Sequence, residues 1–108
     1  MVEKSVIEMV KRYLKQLTSE GIHPSQAVLF GSYALGHADQ NSDIDLIVIA
    51  PEMDGDRTIG LVEKLWRIAG TIDSRIEPIP CGEKEWKTDS GRPILEIARK
   101  EGITIQAE

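Results

Sequence analysis

The chain has 108 residues, 41% of them apolar, with 13 Lys and Arg set against 18 Asp and Glu. That apolar share is ordinary for a globular chain, so disorder is not the default, and the length suits one domain, residues 1–108. The formal charge of −5 argues against a surface built for long DNA or RNA, which would be basic. No stretch reads as a signal peptide or as an apolar span of about 18 residues, so the expectation is a cytoplasmic protein without membrane contact.

Val2 to Thr18 carries Val6, Met9, Val10, Tyr13, Leu14 and Leu17 at helical spacing, and Gly21 is a suitable stop. This predicts a packing helix without chemistry. His23-Pro24-Ser25 reads as a turn, with His23 a loop residue rather than a ligand. An apolar run, Ala27 to Phe30, then ends in Gly31-Ser32. Gly31 permits the positive φ of a tight turn and close approach of a phosphate, and Ser32 suits the first position of a helix over Tyr33, Ala34 and Leu35. Alone, the same residues describe an ordinary capped helix after a strand. They match neither G-x-x-x-x-G-K-[ST] nor G-x-G-x-x-G, so P-loop and dinucleotide readings fail.

His37 to Ser42 forms a polar loop in which His37 receives no role. Asp43 and Asp45 then open a second apolar run, Ile44 to Ala50. In a strand these carboxylates share a face at about 7 Å backbone separation, while the residues after them are apolar on both faces. Two carboxylates roughly 5 Å apart repel by about 3 kcal/mol at an effective dielectric near 20. A cation between them relieves that repulsion, and hard oxygen ligands favour Mg²⁺ or Mn²⁺ over zinc.

Pro51 to Gly55 reads as a turn, and Asp56 as the cap of a helix running to Ala69 with Ile59, Val62, Leu65, Trp66 and Ala69 inward. Trp66 is then a core anchor, and Arg57, Lys64 and Arg67 form a solvated face from which one cation could meet a triphosphate or a partner. Gly70 reads as the stop, and Thr71 to Pro80 as a third strand with Asp73, Arg75 and Glu77 on one face. Pro78 and Pro80 cannot donate ladder hydrogen bonds, so this strand is frayed, lies at an edge, or ends near Glu77. Cys81, the lone cysteine, reads as a small packed residue. Glu83 to Thr88 predicts a short helix with Trp86 against the sheet, Pro93 starts a last helix ending at Gly102, and Ile103 to Ile105 can add a terminal strand. The element order predicts an α/β fold, a small mixed sheet packed with helices.

Gly31-Ser32, ten residues, then Asp43-Ile44-Asp45, flanked by apolar runs, resembles the signature of the DNA polymerase β-like nucleotidyltransferases. Gly31-Ser32-x-Ala34-x-Gly36 followed by Ser42-Asp43-Ile44-Asp45-Leu46 is more closely similar to the minimal nucleotidyltransferase family, small domains many of which are antitoxins paired with a HEPN-domain toxin. The resemblance implies a palm-type sheet, a nucleoside triphosphate (ATP first) and two Mg²⁺ ions, or Mn²⁺, with Gly31 and Ser32 on the phosphates and Asp43 and Asp45 on both ions. It also implies a third carboxylate from strand three, where Glu77 matches best and Asp73 is the runner-up; the superfamily usually has Asp there, one methylene shorter. Without any site, Glu77 is an edge-strand acid paired with Arg75. The implied acceptor is a tyrosine hydroxyl of a HEPN toxin. Two alternatives stand beside it: a nucleotide-binding module that neutralises a partner without turnover, and an aminoglycoside-type small-molecule transferase, which would need a homo-oligomer to build its substrate pocket.

Overall fold

The computed structural model describes residues 3–39, 41–55, 59–88 and 91–107. Helix α1 (Lys4–Ser19) presents Val6, Met9, Val10, Tyr13, Leu14 and Leu17 as a continuous buried stripe, as the 3.6-residue period dictates. Strand β1 (Gln26–Phe30) runs into α2 (Ser32–Leu35), and β2 (Ile44–Ile49) follows the loop after it. A 3-10 turn, Pro51–Met53, buries Met53 before α3 (Ile59–Ile72) crosses to β3 (Ile76–Cys81). Helices α4 (Glu83–Lys87) and α5 (Pro93–Glu101) lead to the terminal strand β4 (Ile103–Gln106).

The four strands lie in the order β3-β2-β1-β4. β1 pairs antiparallel with both β2 and β4, while β2 and β3 are parallel, joined by the α3 crossover. The sheet is therefore mixed, as expected. Alternation sends Ala27, Leu29, Ile44, Leu46, Val48 and Ile76 into one core with α1 and α3. Val28, Phe30, Ile47, Ile49 and Cys81 go to the other, under Leu95 and Ala98 of α5. β2 is buried on both faces apart from Asp45, as a central strand should be.

β3 runs unbroken through both prolines to Cys81 at the sheet edge, so of the three arrangements open from sequence the edge strand is the one adopted. The Arg75 and Cys81 carbonyls accept from Ile44 N–H and Ala50 N–H, so the odd-numbered residues turn their backbone groups toward β2. Pro78 and Pro80 thus face outward, where a missing N–H breaks no ladder bond. The outward Pro80 carbonyl accepts from Arg92 Nη1 at 3.3 Å.

Three expectations need correction. Gly70 does not end α3, which continues through it to Ile72. The third strand accordingly starts at Ile76, and Asp73 lies ahead of it, so Asp73 does not share a strand face with Glu77. The inward face of α3 also differs: Trp66 is not a core anchor but 47% exposed, Ile59 is 78% exposed, and the buried stripe is Leu65, Ile68 and Ala69, with Leu61 and Ile72 beside it. The expected cap at Asp56 lies outside the described residues.

Candidate active site

β1 delivers the chain to Gly31, whose φ of 73° and ψ of −149° only glycine adopts without strain. A second reason excludes a side chain here: a Cβ would stand 2.3 Å from Asp45 Oδ2. The glycine turn is therefore closed directly onto the Asp45 carboxylate. Ser32 opens α2, where the first amides have no acceptor within the helix.

Asp45 is opposite Phe30 on one side and opposite Glu77 on the other. In a parallel ladder that pairing places two carboxylates on one face of neighbouring strands, at about 4.8 Å strand spacing. Asp43 stands one residue before β2 and is exposed, while Asp45 and Glu77 are half-buried. Burial pushes the Glu77 carboxyl above its ordinary value, and the charge of Asp43 and the hydrogen bonds to Asp45 and Asp43 push it further. Asp45 is raised as well, first by burial and also by the charge of Asp43, although the hydrogen bond from Glu77 partly offsets this.

The structure brings Asp43, Asp45 and Glu77 together and sets Asp73 apart. Arg75 does not pair with Glu77; it grips Asp73 with Nε at 3.0 Å and Nη2 at 2.9 Å, and this hold keeps Asp73 below the usual carboxylate range. Among the described residues no three His, Cys, Asp or Glu side chains are already set to hold a metal ion. The donor chemistry nonetheless suits one: Asp43, Asp45 and Glu77 offer hard carboxylate oxygens, and burial first, then the charge of Asp43, raises Asp45 and Glu77. A shared proton and a cation are alternative remedies for the same crowding. His23 pairs with Glu52 at 2.7 Å and His37 is exposed in its loop, as expected of loop histidines.

The Gly31 turn thus folds onto the acidic end of β2, and Glu77 stands in register with Asp45 on the next strand. Residues 7–97 match the Nucleotidyltransferase domain family, and the chain belongs to it. A protein of Methanocaldococcus jannaschii, named as a proposed protein adenylyltransferase, is 34% identical over 79 residues, 68% of this chain and 77% of that one. Among solved structures, a toxin–antitoxin complex with AMP-PNP aligns with a TM-score of 0.62 at 21% identity, over 91% of this chain and 73% of its own. A Sulfolobus solfataricus protein described as a proposed nucleotidyltransferase aligns at 0.58 and 17% identity, over 91% and 77%. Both neighbours share the mixed α/β fold. The chain is a nucleotidyltransferase.

Proposed function

We propose that this nucleotidyltransferase moves AMP from ATP onto a hydroxyl of a partner protein, a tyrosine of a HEPN-type toxin, and so acts as an antitoxin in the cytoplasm. The observation carrying this reading is the in-register pair Asp45–Glu77 with Gly31 closed over Asp45. Asp43 and Asp45 would hold two Mg²⁺ ions, or Mn²⁺, and Glu77 would complete the second site. Bound there, the ions neutralise phosphate charge and acidify the acceptor hydroxyl. Ser32 and the turn amides hold the β and γ phosphates, which leaves the α-phosphorus facing the carboxylates. The acceptor hydroxyl gives up its proton to solvent as its oxygen bonds to that phosphorus in line with the departing bridge oxygen, and pyrophosphate leaves. Charge grows on the phosphate oxygens in the transition state, so donors fixed on the backbone stabilise it more than the ground state.

Support for a protein acceptor comes from the relative named as a proposed protein adenylyltransferase and from the fold match to a toxin–antitoxin complex with a nucleotide analogue. The net charge of −5 disfavours long nucleic acid as the acceptor. The test mixes the chain with ATP, Mg²⁺ and the product of the neighbouring gene, and reads added AMP by mass spectrometry. Added AMP that disappears with Asp43→Asn supports transfer. Neutralisation of the partner that survives Asp43→Asn, with no added mass, supports the binding module instead.

A further inference from the structure

The proposed site draws on three separate stretches of chain: the Gly31-Ser32 turn, the loop ending at Asp43, and the start of β3 before Glu77. One chain of hydrogen bonds ties all three together. It begins at Asp73, whose carboxylate accepts from Arg75 N–H at 2.8 Å as well as from Nε and Nη2. The guanidinium is thereby fixed in plane, with Nη1 aimed at the Tyr33 hydroxyl 2.8 Å away. Tyr33 in turn donates to the Asp39 carbonyl at 3.1 Å.

Asp39 organises the loop that leads to Asp43. Its carbonyl also accepts from Ser42 N–H at 3.1 Å, its N–H donates to Ser42 Oγ at 2.9 Å, and its carboxylate accepts from Asn41 N–H at 2.8 Å. Ser42 is the residue before Asp43, and Tyr33 is the residue after Ser32. Arg75 makes a further link through its own backbone, where its carbonyl accepts from Ile44 N–H at 2.8 Å, between the two aspartates. On the α1 side the network borders a cavity of about 170 Å³ lined by Val6, Met9, Tyr33, Asp39 and Arg75 among others.

We infer that Tyr33 and Arg75 are positioning residues that hold the Ser32 turn, the Asp43 loop and the Glu77 strand in mutual register, so that their oxygens meet the same ions and phosphates. The inference rests on the function proposed above. Neither side chain need touch substrate; each acts through the segments it joins. Misplacing a reacting group by about 1 Å can cost on the order of a hundredfold in rate.

Tyr33→Phe is the cleanest test, since it removes one oxygen and keeps the ring; Arg75→Lys is the second variant, and Glu96→Gln, which breaks the remote pair with Arg99 on α5, is the control. Three quantities are read on the full chain: amide hydrogen exchange at Ser42 and Asp43, the Kd for Mn²⁺, and kcat/KM for transfer. In Tyr33→Phe, exchange at Ser42 should quicken about tenfold, Mn²⁺ should bind about tenfold more weakly, and kcat/KM should fall by between about ten- and a hundredfold. Arg75→Lys should follow the same pattern, while the control matches wild type in all three. If wild type binds Mn²⁺ and transfers AMP but Tyr33→Phe stays within twofold in Mn²⁺ affinity and kcat/KM, the positioning role is wrong and the function stands. If exchange quickens without either loss, the network is structural only and the inference is likewise overturned. If wild type neither binds Mn²⁺ nor transfers AMP, the function fails and this inference falls with it.

Discussion

Gly31→Ala is the sharpest single perturbation available, because two independent costs meet at one atom. The first is conformational: φ of 73° with ψ of −149° is glycine territory, and an alanine held there costs about 1–3 kcal/mol. The second is steric. The new Cβ would lie 2.3 Å from Asp45 Oδ2, about 1.1 Å short of ordinary contact, so the carboxylate or the turn must move by that amount. Each kcal/mol corresponds to about 4–8 °C of melting temperature in a domain near this size. Displacing Asp45 by about 1 Å should also lower AMP transfer roughly a hundredfold. The two costs separate in a double-mutant cycle read by denaturant unfolding. In an Asp45→Ala background the steric cost vanishes and the conformational one remains, so Gly31→Ala should be milder there by about 1 kcal/mol. Strict additivity, or a Gly31→Ala protein that melts and transfers like wild type, would refute the claim that the turn is closed on Asp45.

Asp45 and Glu77 have folded pKa values above their ordinary 3.8 and 4.5, so between those values and the raised ones the folded chain holds more protons than the unfolded chain. Their contribution to stability therefore falls as pH rises through that window; Asp45→Asn should flatten the decline in urea titrations, and Mg²⁺ should stabilise wild type more than the variant. Asp73 is shifted the other way by Arg75, so its contribution is present above pH 3.8 and lost below it; Arg75→Lys should weaken this acid limb in the same titrations. Tyr13→Phe removes a buried donor to the Leu65 carbonyl, 2.9 Å long, and should cost about 1 kcal/mol of stability while leaving transfer unchanged. Leu65→Ala should cost about 2–5 kcal/mol and Trp66→Ala under about 1, which thermal melts can distinguish.

What could be seen in the sequence follows the range of the interactions involved. The turn and both aspartates stand within one short stretch, where a glycine, a polar loop and two apolar runs fix local geometry. Glu77 is proposed through the resemblance, which implies an acid on the third strand; alternation over residues 71–80 places Asp73 on the same face, and the strand's start at Ile76 separates the two. The α3 face was misread because two stripes fit its period equally well. The sequence stripe 59, 62, 65, 66, 69 and the buried stripe 61, 65, 68, 69, 72 share Leu65 and Ala69, and only packing against α1 and the sheet selects between them. Gly70 looked like a stop, yet a glycine inside a helix costs only about 1 kcal/mol, which the contacts of Ile68 and Ile72 on either side outweigh. The network from Asp73 to Asp39 left no local trace, since the link from Arg75 to Tyr33 spans 42 positions.

The pairing of β2 with β3 turns the main chain into a ruler. The gap between Asp45 and Glu77 is set by peptide hydrogen bonds along the ladder and not by either acid, so swapping side-chain lengths there moves the oxygens by one methylene and leaves the anchors still. Asp45→Glu and Glu77→Asp would accordingly change the size of the opening in small, known increments. With the ions proposed above bound there, the preference between a smaller and a larger divalent ion would become a quantity that can be dialled without rebuilding the fold.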